Sequence, residues 1–163
     1  MITYRNTVLI VSDIRKSTEF YTEILNQEIE FDFESNVVFK SGISLWELRD
    51  YLPLTKMLGN ERLKTSKSTK FELYFEAENL NEIENNLTEY GIHFLHHVHE
   101  EPWGQYTIRF FDPDEHLLEI GEPIEIFVTR FHKKGMSAEQ ISKRTSIPVN
   151  TIINITNGKS PEQ

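Results

Sequence analysis

The sequence predicts an α+β fold: two tandem βαβββ modules followed by C-terminal helices. Three observations carry this. Tyr106–Glu122 (YTIRFFDPDEHLLEIGE) reads as an alternating strand, a tight turn and a returning strand. The same succession of periods runs through the chain twice, about seventy residues apart, which is the mark of an internal duplication. After Pro123 the strand period gives way to helical spacing.

Taken in order, Thr7–Val11 is a short β-branched run and reads as a buried strand. Ser12-Asp13 opens a helix whose apolar positions are Ile14, Phe20, Tyr21, Ile24 and Leu25, with Asn26 at a left-handed cap. Strands follow at 29–34, 36–40 and 43–48, and the first module spans about residues 1–50. Residues 51–69 lose the alternation and read as a linker with a short helix near Leu54–Leu58. The pattern restarts over about residues 70–122: a strand at Phe71–Phe75, a helix from Asn79 to Gly91, and strands at 92–99, 106–111 and 116–121. Asp112-Pro113-Asp114 supplies the turn, since Pro presets φ and Asp bonds its own backbone. The domain is therefore 1–123, and 124–163 is a helical extension. In that extension Ser137 and Gln140 form a capping box, and helices run from Ser137 to Arg144 and from Val149 to Ile155.

Composition narrows the function classes. Hydrophobic content is 38% and charged content 26%, as in ordinary globular proteins. No apolar run has the length of a membrane span, and the first residues read as a strand, so the expected location is the cytoplasm. The absence of cysteine excludes disulfides, thiolate metal sites and cysteine nucleophiles. The net charge is −9, but residues 124–163 carry six Lys/Arg against three Glu, net +3, leaving −12 for the rest. An acidic body argues against nucleic acid as its partner and leaves that option to residues 135–155 alone.

VSDIRKSTEFYTEILNQEIEF in the first half and FFDPDEHLLEIGE in the second resemble the vicinal oxygen chelate superfamily, the glyoxalase and bleomycin-resistance proteins. The resemblance covers about residues 6–122. It implies a curved mixed sheet around a cleft, a small-molecule ligand and a homodimer. It also implies a divalent-metal site (Mg²⁺, Mn²⁺, Ni²⁺ or Zn²⁺) at Asn6, Glu47, Glu72 and Glu119, of which Glu47 and Glu119 match the glutamates of glyoxalase I. Asn6 and Glu72 stand where the family usually has His or Gln, and His. Glu115 stands where it usually has Gly, implying a turn without positive φ. The activity implied is that of a lactoylglutathione lyase-like lyase or isomerase, in which a metal stabilises an enediolate and Glu119 or Glu47 shuttles the proton. The ligand expected there is anionic or oxygen-rich. The alternatives are a metal-free, bleomycin-resistance-like protein that sequesters a cationic ligand, and a ligand-responsive regulator. The last rests on GMSAEQISKRTSIPVNTI, which is similar to a DNA-binding helix-turn-helix; packing of helices is the other reading of that stretch.

Elementary electrostatics bears on the same residues. Carboxylates about 5 Å apart repel by ~3 kcal/mol at an effective dielectric near 20. Glu47, Glu72 and Glu119 together must bind a cation, take up protons or pair with an arginine. Arg109, on the polar side of its strand with Gln105 and Thr107, is the internal partner the sequence offers. Tyr74, Trp103, Gln105 and Arg109 are the expected ligand contacts, Trp103 because EPWGQ is a Pro/Gly-bounded loop. His93, His96, His97 and His99 lie outside the family's ligand positions and read as a wet edge strand, with His97 and His99 on one face.

Overall fold

In the computed structural model, residues 2–51, 53–58 and 71–158 are described; most of the linker's second half lies outside them. The chain forms two compact units, Met1–Phe71 with Phe111–Leu117, and Glu72–Phe110 with Leu118–Gln163.

The first unit holds β1 (Thr7–Val11), α1 (Ile14–Glu19), β2 (Ile29–Asp32), β3 (Asn36–Phe39), β4 (Ile43–Glu47) and α2 (Pro53–Leu58). Its sheet has the order β1-β4-β3-β2, with β1 parallel to β4 and the other pairs antiparallel. Asp13 caps α1 by accepting the amides of Arg15 and Lys16 at 3.0 and 3.2 Å. The helical pattern predicted through Leu25 is present, but Phe20–Ile24 is a wider π-turn. That turn holds Phe20 and Tyr21, neighbours in sequence, both at 0% exposure. Tyr21 stacks on Phe39, ring centroids 5.8 Å apart, and Val37, Phe39 and Leu45 are also buried.

The Asp112-Pro113-Asp114 turn belongs to this unit and explains the burial of Tyr21. Asp112 Oδ1 accepts the amides of Asp114 and His116 at 2.9 and 2.8 Å. Its Oδ2 accepts from the Tyr21 hydroxyl at 3.0 Å and faces His116 Nδ1 at 2.8 Å. Asp114 accepts from Ser12 N, Ser12 Oγ and Ser17 Oγ at 2.6–2.7 Å. One expectation is corrected here: the turn does need the left-handed region, and Glu115 adopts φ 65°. A non-glycine residue there costs about 1–2 kcal/mol, which the dense hydrogen bonding to Asp112 offsets.

The second unit holds β5 (Glu72–Glu76), α3 (Leu80–Glu89), β6 (His93–Glu100) and, apart from their end residues Phe111 and Leu117, β7 (Tyr106–Phe111) and β8 (Leu117–Gly121), in the sheet order β5-β8-β7-β6. Three helices follow: α4 (Ile124–Lys133), α5 (Ala138–Thr145) and α6 (Val149–Thr156). The Ser137/Gln140 capping box forms as expected. Phe127, Val128 and Phe131 of α4, Ile141 of α5, and Ile152 and Ile155 of α6 share one buried core. Arg130 fastens α4 to the sheet: its guanidinium lies 4.4 Å over the Tyr106 ring and donates to Glu122 and to the Gly104 carbonyl at 2.7 and 2.8 Å. Gly104 has φ 96°, and a Cβ there would lie 2.1 Å from Phe131 Cζ, so only glycine admits the Phe131 ring.

Candidate functional site

Alternation along the strands of the second sheet sorts its side chains onto two faces. Leu73 and Phe75, Ile108 and Phe110, and Leu118 and Ile120 share one face, and all but the β5 pair are fully or nearly fully buried. The other face takes Glu72, Tyr74 and Glu76 from β5, Glu119 and Gly121 from β8, and Thr107 and Arg109 from β7. Because β8 lies between β5 and β7, Glu119 sits between Glu72 and Arg109. The sheet order thus gathers three of the residues singled out in the sequence.

Arg109 is the centre of this face. Its Nε lies 3.3 Å from Glu72 Oε2, its Nη1 donates to Glu101 Oε1 at 2.7 Å, and its Nη2 forms an ion pair with Glu119 Oε2. Nη1 also lies 3.2 Å from His96 Nε2. Glu101 is held from its other side by the buried Thr107 hydroxyl at 3.0 Å. Burial pushes the Glu119 carboxyl above its ordinary range; Arg109 opposes the rise, and the charges of Glu72 and Glu101 add to it. Burial acts in the same direction on Glu101, but the bonds from Arg109 and Thr107 outweigh it and leave that carboxyl low.

A second network adjoins the first. Gln105 donates to the Tyr74 hydroxyl and to the Glu122 carbonyl, both at 2.9 Å, and accepts from Trp103 Nε1 at 3.0 Å. Tyr74 donates in turn to Glu76 at 3.1 Å. Burial lifts the Tyr74 phenol to about 12, with the charges of Glu76 and Glu119 contributing. Gly121 makes room for this pair, since a Cβ there would stand 2.6 Å from Gln105 Nε2 and 2.9 Å from the Tyr74 hydroxyl. Trp103 and Tyr74 remain 38% and 49% exposed, so both rings are available to a ligand.

Asn6 and Glu47 lie in the first unit. Asn6 donates to Ser44 Oγ. Glu47 Oε2 accepts the Ile14 amide at 3.0 Å, where it faces the positive end of α1, and Oε1 pairs with Arg49 at 3.0 Å. The four residues expected to ligate a metal therefore all have protein partners. Glu72 and Glu119 already share a guanidinium, Glu47 serves a helix terminus, and Asn6 serves Ser44.

Sequence reasoning missed Glu101, and it set His96 aside with the other histidines as a wet edge strand. Glu101 stands just past β6, and its amide bonds the Gln105 carbonyl at 2.8 Å across the hairpin, which points its side chain toward Thr107 and Arg109. The position of Gln105-Thr107-Arg109 opposite a Glu in the β6–β7 hairpin was the available signal. The histidines do lie on an edge strand, and the rings of His96 and His99 are 4.1 Å apart.

Two βαβββ units, each with a four-stranded sheet, define a protein of the vicinal oxygen chelate class. The sequence model of the Glyoxalase-like domain matches residues 4–125, and the chain belongs to that family. Members of the family commonly hold a divalent metal; here the described residues include a convergent group of potential ligands, His96, His99 and Glu101. The chain is 30% identical to the uncharacterized protein YraH of Bacillus subtilis over 118 residues, 69% of this chain and 91% of that protein. A crystal structure of a protein of unknown function from Agrobacterium tumefaciens is 29% identical, with a TM-score of 0.62 over 76% of this chain and 96% of that one. The fold is shared with the fosfomycin resistance protein FosX of Listeria monocytogenes, at 21% identity and a TM-score of 0.57 over 76% and 95% of the two chains. The family match ends within α4, so α5 and α6 lie beyond it.

Proposed function

We propose that this protein binds a small cationic molecule on the polar face of its second sheet, without a metal at the family's four positions. The carrying observation is the charge of that face: Glu72, Glu76, Glu101 and Glu119 against the single guanidinium of Arg109. The exposed rings of Trp103 and Tyr74 beside those carboxylates add the other element of cation recognition, a π-face next to negative charge. The expected anionic ligand fits this face less well, because Arg109 is already taken up by three carboxylates. Lyase chemistry at Glu119 would require that residue to leave Arg109 and Glu47 to leave the α1 terminus, so the binding reading has precedence. A homodimer is part of the proposal; Ile29, Phe31 and Phe33, exposed along and just past edge strand β2, support it.

The test is thermal protection of the full-length protein by benzamidine and spermidine, with benzoate as the anionic control. At about a hundredfold over Kd, binding stabilises by ~2.7 kcal/mol, or about 5–10 °C for a chain of this size. Protection by the cations alone supports the reading. Equal protection by benzoate, or none by either cation, contradicts it.

A second reading, a regulator that contacts DNA through its C-terminal helices, is favoured by one observation. The outward face of α6 carries Asn150 and Asn154, and its C-cap is Asn157, all exposed and without side-chain partners among the described residues. Asn amides are suited to adenine edges, and Lys133, Lys134 and Lys143 to phosphates. Salt-dependent binding to duplex DNA, lost in the Asn150→Ala/Asn154→Ala variant, is its test. No binding at low salt removes it.

A further inference from the structure

Outside the family's ligand positions, the second unit carries a nitrogen-rich cluster at the end of edge strand β6. His96, His99 and Glu101 each offer a ligating atom, and these atoms lie within 4.8 Å of one another. We propose that this trio is a transition-metal site for an ion of the Zn²⁺, Ni²⁺ or Co²⁺ class, and that Arg109 competes with the metal for it.

Two of the three side chains are already oriented as ligands are. His96 Nδ1 lies 2.9 Å from the His97 carbonyl, which can only accept, so the ring proton sits on Nδ1. The opposite nitrogen, Nε2, therefore carries its lone pair outward, and the donor Arg109 Nη1 lies 3.2 Å from it. A backbone carbonyl on the far nitrogen is the usual outer-shell partner of a metal-binding histidine. Glu101 is steadied by Thr107 at 3.0 Å and is itself buried. His99 is the adjustable member: its side chain is 46% exposed, and its Nε2 lies 3.7 Å from Glu101 Oε1. Ligands about 2.1 Å from one ion are at most ~4.2 Å apart, so a small rotation of the exposed His99 closes the set. Two imidazoles and one carboxylate select a borderline transition ion over Mg²⁺ or Ca²⁺.

Arg109 Nη1 bridges Glu101 Oε1 and His96 Nε2, the same two lone pairs the metal would take. Metal binding must therefore displace the planar guanidinium as a whole, and with it the contacts of Nε and Nη2 to Glu72 and Glu119. The site is thus a competition between a built-in cation and an added one. It does not depend on the ligand proposed above, and its test contains no organic ligand.

The test is titration of full-length protein with Co²⁺, read by its visible d–d absorption, and with Zn²⁺ by competition. The native chain should bind one equivalent. His99→Ala should weaken binding at least tenfold, and His97→Ala, which alters an exposed ring paired with Glu84, should leave it within twofold. Arg109→Met should tighten it at least tenfold, a direction that incidental binding to surface histidines does not produce. Equal losses in His97→Ala and His99→Ala, or no saturable binding by the native chain, overturn the proposal. If Arg109→Met does not fold, the two histidine variants decide alone.

Discussion

The guanidinium of Arg109 contacts the carboxylate of Glu119, a residue only 4% exposed in the middle of a sheet. Glu72 and Glu101 complete the shell around that guanidinium. A buried charge kept beside two others of the same sign requires such a partner, and removing one side of a buried pair is more damaging than replacing both. Arg109→Met is therefore expected to destabilise the protein by about 3 kcal/mol, and Arg109→Met with Glu119→Gln by clearly less. A double-mutant cycle by urea denaturation checks this; additive losses would dissolve the pair as an energetic unit.

His116 supplies a pH prediction. Burial lowers its affinity for a proton, but the bond to Asp112 and the charges of Asp112 and Asp114 outweigh burial and raise its pKa above 6.5. A raised folded pKa means that the contribution is fully present below the unfolded value and is lost as pH rises through the folded one. The stability difference between the native chain and His116→Ala should thus be larger at pH 5.5 than at pH 9. Melting curves across that range test it, and a difference that grows with pH contradicts it.

Gly121→Ala places a methyl group where Gln105 and Tyr74 now meet. Both are ends of side chains and can shift, so the expected cost is about 1–3 kcal/mol. The cost falls on the site as well as on the fold, because the Trp103–Gln105–Tyr74 chain of hydrogen bonds is broken. Trp103 fluorescence should change in the folded variant; an unchanged spectrum with native stability would argue that this network is loose in solution.

The three C-terminal helices stand on a shared core. Ile152→Ala, at a position with 0% exposure, is expected to cost about 2–5 kcal/mol. Loss of α6 signals alone in hydrogen exchange would show that the helix is a separable unit; loss together with α4 and α5 is the expected result.

Much of the fold was legible because its signals are local. The alternation of Tyr106–Phe111, the Asp-Pro-Asp turn and the Ser137/Gln140 box depend on residues within a few positions of one another. What escaped was decided at longer range. The π-turn at Phe20–Ile24 answers to the burial of Tyr21 beside Asp112, ninety-one residues away. The φ of Glu115 is held by hydrogen bonds to Asp112, where the residue type alone argued against it. In the site, the pairing of Arg109 with Glu72 and Glu119 followed from charge repulsion and strand faces. Glu101 did not, because no period extends past the end of β6 to say where its side chain points.

Cation binding on the face that Arg109 organises is tested by titrating ¹⁵N-labelled protein with benzamidine and following the side-chain resonances of Trp103 Nε1 and Arg109 Nε. Both are expected to shift with one Kd, Glu72→Gln to weaken that Kd severalfold, and benzoate to move neither. Shifts confined to other resonances, or a benzoate response equal to that of benzamidine, would contradict it.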